Sequence, residues 1–593
     1  MSTLATTNSS PVRLAERALG RSPYAPPTPE YRIDLHLDAN EGSPAPETVI
    51  AALSQLTGED LRRYPDARPL ERQIAALLGV DAERVLVCAG GDDAIDRACR
   101  ACLEPGRELI LPTPTFEMIR RSAELAGASV RTVPWVADAY PTSAVLAEVT
   151  DRTSMIAVVS PNNPTGLVAD AHALEALSAA APSALLLVDL AYTEFASDDL
   201  TQAALRLPNA LVVRTFSKFC GLAGLRVGYC IGDARVIRAL RAVGSPYPVS
   251  AASLRIASAS LEPAAARERS AVRAGVIANR QRIASVLKTL GASTVPSQAN
   301  FVLARLGEPA RVARGLAALG IAVRQFPGTP ELRDALRITI PTSAADTDRL
   351  VRSLRSVMRP EALLLDMDGV IANVAESYRR AIVLAAGSFG VSVTREDVEA
   401  AKARGDANND WIVTQRLLAD AGVRADLAAV TERFEAFYTG TAGDGEGPLF
   451  ERETMIPSRR TLEDLAALLP IAIVTGRPRR DCDRFLDRFG IRGLFGAIVC
   501  MEDAPRKPDP APVAMAMARL RVTSAWMVGD TSDDLVAARG AGALPIGVIP
   551  PGTDASRLER VLRMSGAAEV HASLESIASS LKQLLAPASE ASE

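Results

Sequence analysis

Short apolar runs, each followed by a helical stretch rich in Ala and Leu, recur along this chain and then start afresh at Glu361. That repeated rhythm limits the fold more tightly than any count of residue types. Up to about residue 358 the strand-like runs are 85–87, 108–111, 155–159, 184–188 and 210–213. Strands alternating with helices predict a mainly parallel sheet covered by helices, an α/β architecture. Ligands in such sheets sit at the carboxyl ends of the strands, so the polar residues that close each run are the candidates for chemistry. From about Gly275 the pattern changes to one long helix and then to runs at 299–304, 322–324 and 336–340, which predicts a smaller α/β domain acting as a lid.

The restart is the run Ala362-Leu-Leu-Leu-Asp-Met-Asp-Gly-Val370, which ends in two aspartates and leaves almost no linker before it. Residues from about 375 to 457 are helical and charged, and strand-helix alternation resumes at Ile471 and continues to about Leu585. A second sheet domain with a helical insert is expected. The boundaries read as an arm over 1–30, a first enzyme-sized unit over 31–358, a second over 359–586 with the insert at about 375–457, and a disordered tail over 587–593.

Composition closes off several functions. At 593 residues the length predicts about three to four domain-sized units. With 48% apolar residues and a formal net charge of −4, a large core is expected and nothing calls for nucleic acid as a partner. No apolar run reaches the roughly 18 residues of a spanning helix. Residues 1–10 lack the basic start and apolar middle of a signal peptide, so no membrane partner and a cytoplasmic location are expected. Cys99-Arg-Ala-Cys102 has no second pair to complete a metal site and reads as helix packing. The three histidines fall in no motif.

In the first unit the chemistry gathers on Arg214-Thr-Phe-Ser-Lys-Phe-Cys-Gly-Leu-Ala-Gly-Leu-Arg-Val-Gly-Tyr229. A lysine that loses its proton in a partly dry pocket can form a Schiff base with an aldehyde cofactor. The hydroxyls of Thr215 and Ser217 and the guanidinium of Arg226 suit that cofactor's phosphate. Gly90 and Gly91, with Asp92, follow a strand and open a helix, an arrangement whose backbone N–H groups bind phosphate. Asp189 closes a buried run, where a carboxylate can keep a pyridinium nitrogen protonated. Asn163 and Tyr192 can hydrogen-bond a phenolic oxygen on the same ring, and Phe116 can stack on it.

These pieces, together with Leu37-Asp-Ala-Asn-Glu41, Arg63-Tyr-Pro-Asp66, Pro246-Tyr-Pro248, Ala299-Asn-Phe301 and Leu336-Arg-Ile-Thr339, resemble a fold-type I pyridoxal-phosphate aminotransferase of class I/II. Within that class the chain is most similar to the histidinol-phosphate aminotransferases, over roughly residues 20–357. The resemblance implies a large, mainly parallel sheet domain with a small α/β domain, pyridoxal 5'-phosphate as cofactor, and Lys218 as the Schiff-base lysine. Tyr64 would reach the cofactor phosphate of a neighbouring subunit, which implies a homodimer. Asn40 would touch substrate, Arg337 would anchor its carboxylate, and Arg324 with Tyr24 would take a substrate phosphate. The chain departs from the family in Gly91-Asp-Asp93, Leu190-Ala191 and Gly42-Ser43.

In the second unit Asp366 and Asp368 lie two apart on an extended chain and so face the same way. Paired carboxylates on one face repel unless a cation joins them. With Thr475-Gly-Arg-Pro478, Lys507 in Arg506-Lys-Pro-Asp509, and Trp526-Met-Val-Gly-Asp-Thr-Ser-Asp-Asp534, the order is similar to the four motifs of the haloacid dehalogenase superfamily. That resemblance implies a Rossmann-like phosphatase with a helical cap. Asp366 would attack phosphorus, Asp368 would serve as acid and base, and Thr475 and Lys507 would hold phosphoryl oxygens. Magnesium would be bound by Asp366, the backbone carbonyl of Asp368 and Asp530, with Asp534 ordering the shell; hard oxygen ligands suit it. In the cap, Arg404-Gly-Asp-Ala-Asn-Asn-Asp-Trp411 is polar enough to line a pocket, or else forms a loop and a helix capped by Asp410.

The expectation is a bifunctional enzyme: transamination between glutamate and a phosphorylated ketone, imidazole-acetol phosphate being the best fit, then hydrolysis of the phosphate ester. The resemblance leaves a different phosphorylated amine open, since phosphatases of this superfamily that act on histidinol phosphate usually carry a Cys/His zinc loop and lack a large cap. A sensor built on the aminotransferase fold is the non-enzymatic alternative; residues 1–33 are too short and proline-rich for the helix-turn-helix such regulators carry.

Overall fold

The computed structural model describes residues 12–19, 22–23, 30–135, 138–403, 409–443, 445 and 447–586. The tail at 587–593, Tyr24 and most of the arm, and positions 404–408 of the cap lie outside the described residues.

The first sheet has seven strands in the order Val85–Cys88, Gly228–Ile231, Ala210–Thr215, Leu185–Asp189, Thr153–Val159, Glu108–Thr113 and Ser129–Pro134. Only Gly228–Ile231 runs antiparallel to its neighbours. Strands with helices on both faces are apolar throughout, and all five residues of Leu185–Asp189 are buried. Asp189 closes its strand opposite Val213, and the neighbouring strand runs two residues further to Thr215, so the sheet alone brings both to the same carboxyl edge.

The smaller sheet is mixed, in the order Leu35–Leu37, Ile321–Gln325, Ala335–Thr339, Phe301–Arg305 and Ser293–Thr294. Its first strand comes from the amino-terminal part of the chain and pairs in parallel with Ile321–Gln325, and residues 38–41, which follow it, line the cavity that contains Lys218. The 27-residue helix Pro263–Thr289 joins large and small domains. Arg273 and Arg280 on it donate to backbone carbonyls of Glu194, Ala196 and Ala299, satisfying loop groups that would otherwise be buried unbonded.

Helix Ala344–Met358 ends the first unit, and strand Ala362–Leu365 begins a six-stranded parallel sheet ordered Phe495–Val499, Ile471–Val474, Ala362–Leu365, Ala525–Gly529, Leu544–Val548 and Glu569–His571. The cap contains helices Tyr378–Ser388, Arg395–Ala403, Asp410–Asp420 and Leu427–Thr439. The chain leaves for the cap and returns from it along a two-stranded antiparallel ribbon, Ala372–Asn373 with Thr454–Met455. Helix Asp410–Asp420 is capped by Asn409, whose side chain accepts from the N–H groups of Trp411 and Ile412; Asp410 is the first helical residue, not the cap expected from sequence. Asn at that position meets the orphan donors of the first turn as well as Asp does.

The two units share a face. The buried indole of Trp526 donates to the Ser356 carbonyl at 2.8 Å, and the Tyr31 hydroxyl donates to the Ala567 carbonyl at 3.1 Å. Arg539 reaches Asp34 at 2.9 Å, and Arg349 closes on the same carboxylate. Val357 and Met358 of the first unit and Leu544 and Ile546 of the second belong to one buried apolar cluster.

Candidate active sites

Lys218 lies in a loop after strand Ala210–Thr215, in a cavity of about 800 Å³ at the carboxyl ends of the seven-stranded sheet. The cavity is also lined by Gly91, Asp92, Phe116, Asn163, Asp189, Tyr192, Thr215, Ser217 and Arg226, and on the lid side by Asn40, Arg324 and Arg337. The lysine Nζ donates to the Ala39 carbonyl at 3.0 Å and stands 5.8 Å from the centre of the Tyr192 ring.

The hydrogen bonds around the cavity decide which groups remain for a ligand. Asn40, in the left-handed region at φ 55, donates through Nδ2 to the Tyr192 hydroxyl at 3.0 Å, leaving the phenolic proton of Tyr192 to be donated onward. Arg337 donates to Asn163 Oδ1 at 2.5 Å and to the Asp38 carbonyl at 2.6 Å, which turns the Asn163 amide so that its NH2 is the end left over. Burial pushes the Asp189 carboxyl up to about 7, against a single N–H donated from Ala191 at 3.1 Å. A dehydrated carboxyl of this kind gains most from a cation set against it.

At the opposite end of the cavity Arg226 bonds Asp92 at 2.9 Å, and the Thr215 hydroxyl donates to Ser217 at 2.9 Å. Gly90 has φ +85, and a Cβ there would stand 2.8 Å from an Arg226 guanidinium nitrogen. Only glycine leaves that approach open, at the head of the 13-residue helix Gly90–Cys102. A helix N-terminus, two hydroxyls and an arginine make a phosphate seat; a buried carboxyl makes a seat for a ring nitrogen. The donor set therefore fits pyridoxal phosphate. Tyr64 is not in this cavity: it is 80% exposed and stacks on Tyr247 with ring centres 4.6 Å apart. Cys99 is buried and Cys102 half-buried in the same helix, with the Cys99 thiol pushed up to about 12 by burial, which suits packing.

The second site is at the carboxyl end of strand Ala362–Leu365. Asp366 is buried; Lys507 Nζ bonds its Oδ1 at 2.7 Å, Asp534 Oδ1 at 2.5 Å and the Val474 carbonyl at 3.0 Å. Carboxylate oxygens of Asp366, Asp530 and Asp534 lie within 4.8 Å of one another. Burial pushes Asp366 well above the usual carboxylate range; Lys507 opposes this and Asp534, Asp530 and Asp368 add to it. Three crowded oxygens of this hardness fit a divalent cation such as magnesium. Gly369, at φ +79, keeps the loop clear, since a Cβ there would meet Asp530 at 2.2 Å. Thr475, buried at the end of strand Ile471–Val474, accepts from the Arg477 N–H at 3.1 Å.

Asp368, which sequence places on the same face as Asp366, is not one of the three clustered carboxylates. Its Oδ1 accepts from Arg477 Nε at 2.5 Å, while Arg477 Nη1 bonds Glu453 at 3.0 Å. Neither Arg477 nor Glu453 is singled out by sequence. Arg477 lies two residues after Thr475 in Thr475-Gly-Arg-Pro478, a signal that could have found it; Glu453 is in no motif and reaches the site only because the ribbon brings the cap's return strand back.

Residues 33–354 match the family described as aminotransferase class I and II, and residues 360–542 match haloacid dehalogenase-like hydrolase. The chain is 36% identical over 348 residues to histidinol-phosphate aminotransferase 2 of Burkholderia mallei, covering 57% of this chain and 96% of that protein. A shorter stretch of 206 residues is 48% identical to imidazoleglycerol-phosphate dehydratase of Phytophthora nicotianae, 33% of this chain and 45% of that protein, so the chain spans less than half of this relative. Among solved structures it is similar to histidinol-phosphate aminotransferase from Sinorhizobium meliloti in complex with pyridoxal-5'-phosphate, at a TM-score of 0.53 and 25% identity over 59% of this chain and 99% of that one. Among the described residues no helix is long and apolar enough to cross a membrane.

Proposed function

The chain belongs to the class I and II aminotransferases and continues into a haloacid dehalogenase-like hydrolase, and from that premise we propose that it makes a phosphorylated amine at the first site and removes the phosphate at the second. The observation that carries this reading is the pair of arginines, Arg324 and Arg337, on the lid side of the Lys218 cavity. One guanidinium suffices for the α-carboxylate of an amino acid; a second suits a phosphate monoester. Both relatives named above are named for phosphate esters that carry an imidazole, so the ketone of best fit is imidazole-acetol phosphate and the product histidinol phosphate.

Pyridoxal phosphate, when bound, supplies an aldehyde that carries the amino group and a ring that accepts the electrons left at the substrate's α carbon. Asp189 would face the ring nitrogen, while Asn163 and Tyr192 would donate to the ring's phenolic oxygen. Gly90, Gly91, Asp92, Thr215, Ser217 and Arg226 would hold the phosphate, with Phe116 against the ring. Lys218 would move a proton between the amino acid's α carbon and the cofactor's aldehyde carbon in each half-reaction. Arg337 would hold the carboxylate of glutamate and Arg324 the phosphate of the ketone, with Asn40 beside them. Tyr64, exposed and not among the lining of its own Lys218 cavity, would complete the site of a second copy in a homodimer.

At the second site the Asp366 oxygen would attack phosphorus as the ester P–O bond breaks, and Asp368 would give its proton to the departing alcohol oxygen. Asp368 would then take a proton from water as that water attacks phosphorus, freeing Asp366 and inorganic phosphate. Thr475 and Lys507 would hold the phosphoryl oxygens. Asp366, the backbone carbonyl of Asp368 and Asp530 would bind magnesium, which offsets the charge gathered there, and Asp534 would order the site.

The test is coupled turnover. Purified protein with magnesium, histidinol phosphate and 2-oxoglutarate should release glutamate only with Lys218 intact and phosphate only with Asp366 intact, as read with Lys218→Ala and Asp366→Asn. Glutamate without phosphate would assign the second site another ester; neither product would remove histidinol phosphate as substrate.

A further inference from the structure

The groups that grip Asp368 come from three parts of the second unit. Arg477, 1% exposed, stands after strand Ile471–Val474, with its guanidinium 4.8 Å from the Tyr378 ring centre and 5.5 Å from that of Phe485. Its Nε takes one oxygen of Asp368, whose side chain keeps 26% of its surface exposed. Its Nη1 takes Glu453, just before the ribbon strand that returns from the cap, and the other Glu453 oxygen accepts the hydroxyls of Ser377 at 3.0 Å and Tyr438 at 3.2 Å. Ser377 opens the cap and Tyr438 lies in its helix Leu427–Thr439. A buried guanidinium held by two carboxylates and two rings has one orientation available, and so has the carboxylate it grips.

Building on the hydrolase reading above, we propose that Arg477, locked by Glu453, is a positioning residue that aims Asp368 at the ester's departing oxygen. One carboxylate oxygen is spent on Arg477, and the side chain still keeps part of its surface open. A proton can pass from Asp368 to that oxygen, as the P–O bond breaks and the Asp366 O–P bond forms, only from a fixed distance. Without Arg477 the carboxylate rotates among its rotamers. Because Ser377, Glu453 and Tyr438 belong to both roots and one helix of the cap, the aim also depends on where the cap sits.

Leaving-group dependence tests this. An alkyl phosphate such as 2-aminoethyl phosphate needs a proton on its departing oxygen; 4-nitrophenyl phosphate does not, since nitrophenolate leaves unaided. The full chain with magnesium is assayed on both esters as wild type, Arg477→Gln, Arg477→Lys and Glu453→Gln. The ratio of kcat/KM for the alkyl ester to that for the aryl ester should fall by about 10²-fold in Arg477→Gln, the scale of a misplaced general acid. Arg477→Lys should not restore it, because one amine cannot span Asp368 and Glu453, and Glu453→Gln should fall in the same direction by less. Equal losses on both esters, or an unchanged ratio in both Arg477→Gln and Glu453→Gln, would overturn the proposal. Should Arg477→Gln not fold, Glu453→Gln decides by the same ratio. Wild-type protein that hydrolyses neither ester would overturn the hydrolase reading along with it.

Discussion

Arg324 and Arg337 stand directly opposite each other across the antiparallel pair Ile321–Gln325 and Ala335–Thr339, and both line the cavity that contains Lys218. Like charges in that register repel. Arg337 spreads its charge over Asn163, the Asp38 carbonyl and the faces of Phe301 and Phe326. An anion between the two guanidinium groups would turn the repulsion into a clamp. Arg324→Gln is therefore expected to lower kcat/KM for the phosphorylated amine by roughly 10- to 100-fold, the value of about 1.5–3 kcal/mol for a hydrogen bond to a charged group. The same change should leave the half-reaction with glutamate within a few-fold, whereas Arg337→Gln should lower both. Single-turnover spectra with each amino donor make the comparison.

Much of this arrangement was legible before any coordinates. Strands such as Leu185–Asp189 are buried on both faces, so they read as continuous apolar runs, and the residues that close them fall at the site. Shorter strands escaped. Leu35–Leu37 has only three residues, one of them the exposed His36, and exists because Ile321–Gln325 offers it an edge. Ser129–Pro134 is an edge strand with mostly polar or part-exposed residues and a terminal proline. The motifs marked Asp366, Lys507 and Asp530 because each is local in sequence. Glu453 could not be found that way, since its meeting with Arg477 depends on the path of a cap more than sixty residues long. The Trp526–Ser356 contact between units has no local signature either.

Asp189 gives a pH signature in protein stripped of cofactor. Burial pushes its carboxyl up to about 7, so between the unfolded value near 3.8 and about 7 the folded state binds more protons than the unfolded state. Stability from this group is then fully present below about pH 3.8 and is lost as pH rises toward 7. Cofactor-free protein should lose less Tm between pH 5 and 7.5 when Asp189 is replaced by Asn, with the difference read by thermal melts. Adding pyridoxal phosphate should erase the difference for the wild type, because a ring cation against Asp189 favours its ionised form. An unchanged pH slope in Asp189→Asn would remove the carboxyl from this role.

Removing divalent cations should separate the two activities. Asp366, Asp530 and Asp534 crowd their oxygens within 4.8 Å, and Lys507 alone bonds two of them. Chelation by EDTA is expected to abolish ester hydrolysis and leave transamination intact, since no acidic cluster of this kind lines the Lys218 cavity among the described residues. Magnesium should also raise Tm in the absence of substrate, by the equivalent of about 2.7 kcal/mol at a concentration 100 times its Kd. Asp530→Asn should shrink that rise. A Tm indifferent to magnesium in the wild type would count against a cation at these residues.

The exposed pair Tyr64 and Tyr247 predicts sharing between subunits. Two stacked rings, 80% and 51% exposed, are an unusual use of aromatic surface, and no Tyr64 atom is needed by its own cavity. If Tyr64 reaches the cofactor phosphate of a second copy, each site of a symmetric dimer holds Lys218 from one chain and Tyr64 from the other. Lys218→Ala and Tyr64→Ala proteins should each be weak alone, the first for want of the proton-moving amine, the second through poorer cofactor retention. Mixed in equal amounts and allowed to exchange, half the dimers are hybrids, and each hybrid has one site carrying both lesions and one carrying neither. Activity should then rise to about a quarter of the wild-type value on top of the residual activity of the parents. A mixture that shows only the mean of its two parents would place Tyr64 outside the neighbouring site.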